Sequence, residues 1–264
     1  MHIQLRKANK MSKKNDRRNQ LIDILKIKNG GSIKDLATHF NVSEMTIRRD
    51  VDALCQEGLV TNLYGAVIMN HESNNSYQLS SALTSHFSEK DRIGKFAASL
   101  VVPGDVLIID TGSTTQYIAK HLPSDLPITV ICYNYNVLSH LLNKSNIKLI
   151  FPGGFYHADT QMFESKEARA LIHNTRATKT FISAAGVHET MGITCANGYE
   201  VDTKLVGMQS GFERILIIDS SKFSVIQSAY FANLEQFNTI ITDDDIPKKW
   251  QNLIQSMGIT LHIV

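Results

Sequence analysis

The sequence predicts an α/β protein of two unequal domains, a small helical head followed by a doubly wound, mostly parallel sheet domain. Three observations carry that expectation. At 264 residues the chain is long for one ordinary domain and short for three. Its first seventy residues show helical patterning and a basic excess, 12 Lys and Arg against 7 Asp and Glu, so the head is +5 and the remainder −3. Beyond residue 100, short apolar runs alternate with helical segments, the signature of buried parallel strands joined by crossover helices. A hydrophobic content of 43% fits a packed globular chain, and no apolar run reaches the length of about 18 residues that a membrane span needs.

Taken in order, residues 1–14 read as a basic tail. MHIQLRKANK lacks the apolar core of a secretory signal, and Met11 offers a second start. A first helix is expected from about Asn15 to Lys28, with Leu21, Ile24 and Leu25 at helical spacing, ended by Gly30-Gly31. Ser32 is placed to cap a second helix carrying Ile33, Leu36, Ala37 and Phe40 on one face. After the turn Asn41-Val42, Ser43 is placed to cap a third, from Glu44 to about Glu57, before Gly58. On that helix Val51 and Leu54 fall within about 40° of Ile47, an inward stripe. Met45 and Arg49 then point outward, flanked by Thr46 and Arg48. A polar, basic face at a helix N-terminus suits entry into the major groove of double-stranded DNA. Residues 59–67 read as a hairpin, closing a head of residues 15–69.

Residues 70–87, rich in Ser, Asn and His, read as a linker. The larger domain, 88–264, is expected to open with a helix capped by Ser88. Strands are expected at 105–110, 128–132, 147–151, 180–185, 214–219 and 238–242, and helices at 114–122, 135–143, 165–173, 199–211 and 247–257. In such sheets ligands bind beyond the carboxyl ends of the strands. After the first strand, Asp110-Thr111-Gly112-Ser113-Thr114-Thr115 offers backbone N–H groups and hydroxyls to an anion such as phosphate. It matches neither the dinucleotide fingerprint nor the triphosphate loop with its lysine, which disfavours a nucleoside triphosphate. Further strand ends carry Tyr133-Asn134-Tyr135-Asn136, Pro152-Gly153-Gly154, Ala185-Gly186-Val187-His188 and Asp219-Ser220-Ser221-Lys222-Phe223, with Lys222 the cation for an anionic ligand. Cys55, Cys132 and Cys195 are odd in number and widely spaced. They argue against a disulfide framework or a metal site and for a reducing cytoplasm.

The run Ser43, Thr46-Ile47-Arg48-Arg49-Asp50, Leu54, Gly58-Leu59-Val60 resembles the DeoR-type winged helix-turn-helix over about residues 15–68. The D-x-G-[ST]-T loop, the paired glycines and the D-x-S-K-F segment resemble the sugar-sensing domain of DeoR-family regulators over about 88–264. That domain is similar in fold to ribose-5-phosphate isomerase. The resemblance implies a repressor that binds operator DNA as a homo-oligomer, dimer or tetramer, under control of a phosphorylated sugar. It needs no cofactor, metal, membrane or catalytic residue. DNA contacts are expected from Ser43, Met45, Thr46, Arg48 and Arg49, with Asp50 orienting a neighbouring arginine. Family wings usually carry an arginine and two glycines, where this chain has Asn62, Tyr64 and a single Gly65. Lys14 and Arg18, with Lys10, Lys13 and Arg17, are therefore expected to add phosphate contacts. In the larger domain the resemblance implies phosphate on Gly112, Ser113, Thr114 and Thr115, and sugar hydroxyls near Asp110 and Asn134. Gly153, Gly154 and Lys222 would stand near the ligand, and His188 where family members often have an acid. Local likeness around residues 183–188, 192–195 and 219–223 to the deoxyribonucleoside branch makes deoxyribose 5-phosphate the leading expectation. The alternative is an aldose–ketose isomerase using Glu189 or Glu200 as base, with Lys204 or Lys222 as electrophile.

Overall fold

The structure, a computed structural model, describes residues 16–25, 30–57, 59–63, 65–69 and 78–264. The chain divides into two compact units, residues 1–75 with 224–227, and residues 76–223 with 228–264.

In the first unit, residues 16–25 form helix α1. Strand β1 (Gly30–Ser32), helices α2 (Ile33–Phe40) and α3 (Glu44–Gln56), and strands β2 (Val60–Leu63) and β3 (Ala66–Met69) follow. Ser32 caps α2 by accepting from the Asp35 N–H at 3.1 Å, and Ser43 caps α3 by accepting from the Thr46 N–H at 3.3 Å. Asn41 takes the left-handed conformation, φ 50°, that ends α2. The inward stripe is as expected: Ile47, Val51 and Leu54 are buried together with Leu21, Leu25, Ile33, Leu36 and Val60. Gly30 and Gly31, expected to end the first helix, lie in β1, which pairs antiparallel with β3 so that the sheet order is β1-β3-β2; residues 26–29, where that helix was expected to end, lie outside the described residues. Their strand partner, Val67-Ile68, lies far along the chain, so no local pattern announces the strand.

The second unit opens earlier than the sequence suggests. Within the stretch read as a linker, Leu79–Thr84 form helix α4, with Leu79 buried and its N–H donating to the Asp159 carbonyl at 2.7 Å. Helix α5 (Phe87–Ser99) follows a left-handed His86, φ 50°, so Ser88 lies inside the helix and does not cap it. Strand β4 (Val106–Ile109), helix α6 (Thr115–His121), strand β5 (Ile128–Cys132), helix α7 (Tyr135–Leu141) and strand β6 (Ile147–Ile150) come next. The hairpin β7 (Phe155–His157) and β8 (Met162–Glu164) leads to helix α8 (Lys166–His173) and strand β9 (Ala177–Ile182). Strands β10 (Gly186–His188) and β11 (Gly192–Cys195), helix α9 (Gly198–Ser210), and strands β12 (Gly211–Ile217), β13 (Ala229–Ala232) and β14 (Thr239–Thr242) follow. Helix α10 (Lys248–Ser256) and strand β15 (Thr260–Ile263) end the chain.

Seven strands form one parallel sheet in the order β15-β14-β12-β9-β4-β5-β6. Alternate residues serve opposite faces. Leu107, Ile109, Val130, Phe181 and Ile217 pack with Ile93, Ile118 and Val137 on one side. Ile182, Leu216 and Ile240 pack with Met208, Trp250 and Ile254 on the other. Because β4 has β5 on one flank and β9 on the other, the order reverses between β4 and β9, which opens a crevice at their carboxyl ends. The small antiparallel elements β7-β8 and β10-β11-β13, and the edge strand β15, were not expected. Each is only three or four residues long, too short for a periodic signal.

Candidate functional site

In the winged unit the third helix presents the residues expected at DNA. Met45 is 57% exposed, Arg48 and Arg49 are exposed, and Arg48 stands 3.6 Å from Glu44 one turn earlier. The Ser43 and Thr46 hydroxyls are 2.9 Å apart at the cap. Asp50 turns inward: it is 1% exposed and its two oxygens accept from Arg17 Nε at 2.7 Å and Arg18 Nε at 3.3 Å. The arginines it orients are thus those of α1, not its neighbours on α3, and Arg18 serves the fold as well as any phosphate. In the hairpin, Asn62 Oδ1 accepts from the Gly65 N–H at 3.2 Å, and Gly65 takes φ 92° to close the turn. Tyr64 and the tail lysines, Lys14 among them, lie outside the described residues.

In the sheet unit the crevice between β4 and β9 is built around Asp110, at the end of β4. Its carboxylate is fully buried and takes three donors: the Tyr133 hydroxyl at 2.6 Å, the Ser183 N–H at 3.0 Å and Lys204 Nζ at 2.6 Å. Asp110 therefore braces the crevice from within. Lys204 also stands 3.8 Å from Glu200. Burial works against the Lys204 charge, but Asp110 and Glu200 outweigh it and hold its pKa above the usual lysine range. Burial raises the Glu200 pKa, opposed by Lys204 and assisted by the like charge of Asp110.

The following loop is pinned on both flanks. The Ser183 hydroxyl donates to the Thr111 carbonyl at 2.6 Å, and Asn136 Nδ2 donates to the Gly112 carbonyl at 2.9 Å. Gly112 has φ 154°, and a Cβ there would lie 2.2 Å from Ser183 Oγ, so only glycine allows the approach. Ser113, Thr114 and Thr115 are buried, with Thr115 closing back onto the Gly112 carbonyl at 2.9 Å. The β7-β8 hairpin crosses above this rim. The Tyr135 N–H donates to the Gln161 carbonyl at 2.8 Å, the Phe163 N–H to the Tyr133 carbonyl at 2.7 Å, and the Thr111 hydroxyl to the Thr160 carbonyl at 3.1 Å. Gly153 and Gly154 open that hairpin. A Cβ on Gly154 would lie 2.4 Å from the Glu164 carbonyl.

Lys222 is half-buried in the turn after β12, on the carboxyl side of the same sheet. Lys90 on α5 was missed by the sequence reading. It is fully buried, donates to the Ala82 and Ser85 carbonyls at 2.7 and 2.8 Å, and stands 3.9 Å from Asp219. Burial lowers its pKa to about 8, with Lys222 pushing the same way and Asp219 opposing. A signal for it existed: Lys90, Ile93 and Ala97 share one helical face, and the other two are core residues. His188 sits in the β10-β11 ribbon, buried, with its Nδ1 3.3 Å from both the N–H and the hydroxyl of Thr190. Of the isomerase candidates, Glu189 pairs with Lys249 at 2.6 Å and Glu200 is spent within α9's capping box. Cys132 and Cys195 are buried free thiols, pushed up to about 12 by burial. Among the described residues, no cluster of His, Cys, Asp and Glu suits a metal, and no helix is long and apolar enough to cross a membrane.

Residues 17–73 match the family model of the DeoR-like helix-turn-helix domain, and residues 85–244 that of the DeoR C terminal sensor domain. The Deoxyribose operon repressor of Escherichia coli (strain K12) is 32% identical over 232 residues, covering 88% of this chain and 91% of that protein. The Uncharacterized HTH-type transcriptional regulator YgbI of the same strain is 31% identical, covering 93% and 96%. Among solved structures, ribose 5-phosphate isomerase A from Methanocaldococcus jannaschii matches 53% of this chain and 55% of its own, at 19% identity and a TM-score of 0.40.

Proposed function

Because the chain belongs to the DeoR family of transcriptional regulators, we propose that it is a repressor whose hold on operator DNA is controlled by a phosphorylated sugar. The observation that carries this reading is the Gly112–Thr115 loop, pinned at the point where the sheet order reverses, with Lys222 on the same carboxyl side. Hydroxyls and backbone donors of such a loop suit phosphate oxygens, and Lys222 would supply the countercharge. Arg48, Arg49, Thr46 and Met45 would meet the DNA, and two heads of a homo-oligomer would share a paired operator. The relative named for a deoxyribose operon makes deoxyribose 5-phosphate the first ligand to try.

The test is a thermal-shift screen of pentose and hexose phosphates against their free sugars, followed by operator release measured by fluorescence anisotropy. One phosphorylated compound should stabilise the protein and change its DNA affinity, while its free sugar does neither. If no phosphorylated compound binds, the ligand half of the reading falls and the DNA-binding half stands alone.

A further inference from the structure

Helix α4 is six residues long, has no side-chain cap, and buries Leu79 alone. A helix that short does not sustain itself in water, so its place is set by its anchors, one at each end. At the start, the Leu79 N–H donates to the Asp159 carbonyl at 2.7 Å. Asp159 lies in the turn of the β7-β8 hairpin, where the neighbouring Thr160 carbonyl accepts from the hydroxyl of Thr111, the residue before Gly112, at 3.1 Å. At the far end, Lys90 Nζ donates to the Ala82 and Ser85 carbonyls at 2.7 and 2.8 Å. Lys90 also faces Asp219, which opens the short turn that carries Lys222; the Lys222 N–H donates to the Asp219 carbonyl at 3.1 Å.

The second anchor is half made. Asp219 is 1% exposed, and its Oδ2 has no hydrogen-bond partner among the described residues. Lys90 Nζ stands 3.9 Å away, about 1 Å beyond a charge-assisted hydrogen bond. An ammonium has three donors, and two already serve the end of α4. A buried carboxylate oxygen left unpaired beside a buried ammonium marks a contact that a small shift of the turn would complete. We infer that α4 is a strap carrying the state of the ligand loops to the chain that leads to the head, and that Lys90 is the positioning residue through which the Lys222 turn acts on it. This rests on the reading of residues 112–115 and Lys222 as the anion site. An anion drawing on Lys222 moves Asp219 with it, because the two share one turn. Lys90 then closes on Asp219 and loosens its hold on Ala82 and Ser85. The same anion, settling on residues 112–115, is felt at the other end through Thr111, Thr160 and Asp159. Small shifts of this kind are amplified where packed elements have two arrangements. Leu79 follows Met69, the last residue of β3, by ten positions, so α4 is the first helix that the connecting chain meets.

The experiment measures, by fluorescence anisotropy, how far a saturating sugar phosphate changes the affinity of the full chain for a DNA fragment that the wild type has selected from random sequence. The effector is whichever of 2-deoxyribose 5-phosphate, ribose 5-phosphate and glucose 6-phosphate binds the wild type best by calorimetry. Leu79→Pro removes the N–H bound to Asp159 and leaves the helix intact, because proline is tolerated at a first helical position and Gln78 before it is already extended, φ −120° and ψ 117°. Leu79→Ala is its control, losing the same packing but keeping the N–H. Lys90→Met frees the other end. The wild type should change its DNA affinity by about fivefold or more, and Leu79→Pro and Lys90→Met by no more than about twofold, while each variant still binds DNA and effector separately. Leu79→Ala should respond as the wild type does. A wild-type response in Leu79→Pro or in Lys90→Met would overturn the proposal, and so would equal losses in Leu79→Pro and Leu79→Ala. Loss of effector binding in Leu79→Pro would place α4 within the ligand site and overturn it too. In all these cases the wild type still responds and only the strap falls. If the wild type binds none of the three compounds, the anion-site reading falls first and the strap with it.

Discussion

Lys204 is an ammonium in a cavity that can hold it only because two carboxylates face it. Breaking a buried ion pair from one side leaves unmatched charge, a loss of about 3–5 kcal/mol. Lys204→Met should therefore lower the urea unfolding midpoint by that equivalent. A loss nearer the 1 kcal/mol or less of a surface pair would show that Asp110 and Glu200 tolerate each other without it. Lys90 poses the opposite problem, because burial dominates over its nearest carboxylate. Its folded pKa is about 8 against an ordinary 10.5. Between those values the unfolded chain holds the proton more often than the folded one, so the lysine's penalty, full below pH 8, fades as pH rises. Relative to Lys90→Met, the wild type should gain unfolding free energy between pH 7 and 10. A pH-independent difference would mean that Lys90 ionises as an ordinary lysine.

At the scale of elements, α3 separates its two tasks by face. Replacing Arg48 and Arg49 by alanine touches only exposed side chains, so stability should stay within about 1 kcal/mol while operator binding is lost. Retained binding would remove α3 from the interface. The 112–115 loop has no such spare face: Gly112→Ala drives a Cβ into Ser183, and should abolish the thermal shift by sugar phosphates. A variant that still responds would show that the loop can move away from β9. The same contrast explains what was legible in the sequence. The Ser32 and Ser43 caps and the Ile47, Val51, Leu54 stripe are local patterns, so three and four residue spacings sufficed to find them. Six of the seven parallel strands were found because apolar runs mark them. The bracing of Asp110 by Tyr133, Ser183 and Lys204 joins residues 23, 73 and 94 positions apart, and no local pattern reports such contacts. For that reason the bracing of Asp110 and the Arg17 and Arg18 contacts with Asp50 went unseen.

At the scale of the whole molecule, charge is divided between the parts. A basic head on a mildly acidic remainder should bind DNA through several phosphates, so operator affinity is expected to fall steeply and linearly in log–log form as salt rises. A flat profile would count against the head as the docking surface. The reversal of strand order has a consequence of another kind, for the order in which a ribosome delivers the parts. Strand β4 leads the sheet, yet the neighbour that closes its second edge arrives later, as the bond between Val106 and Thr178, 72 residues apart, records. Until then β4 has an open edge, which invites mispairing, and pairing over such distances is slow. The winged head, with its own core, has all of its residues but 224–227 long before. A chain cut short between residues 76 and 176 would carry residues 1–75 of its reading head, lack residues 224–227 of the same unit, and hold at most about half of its receiver.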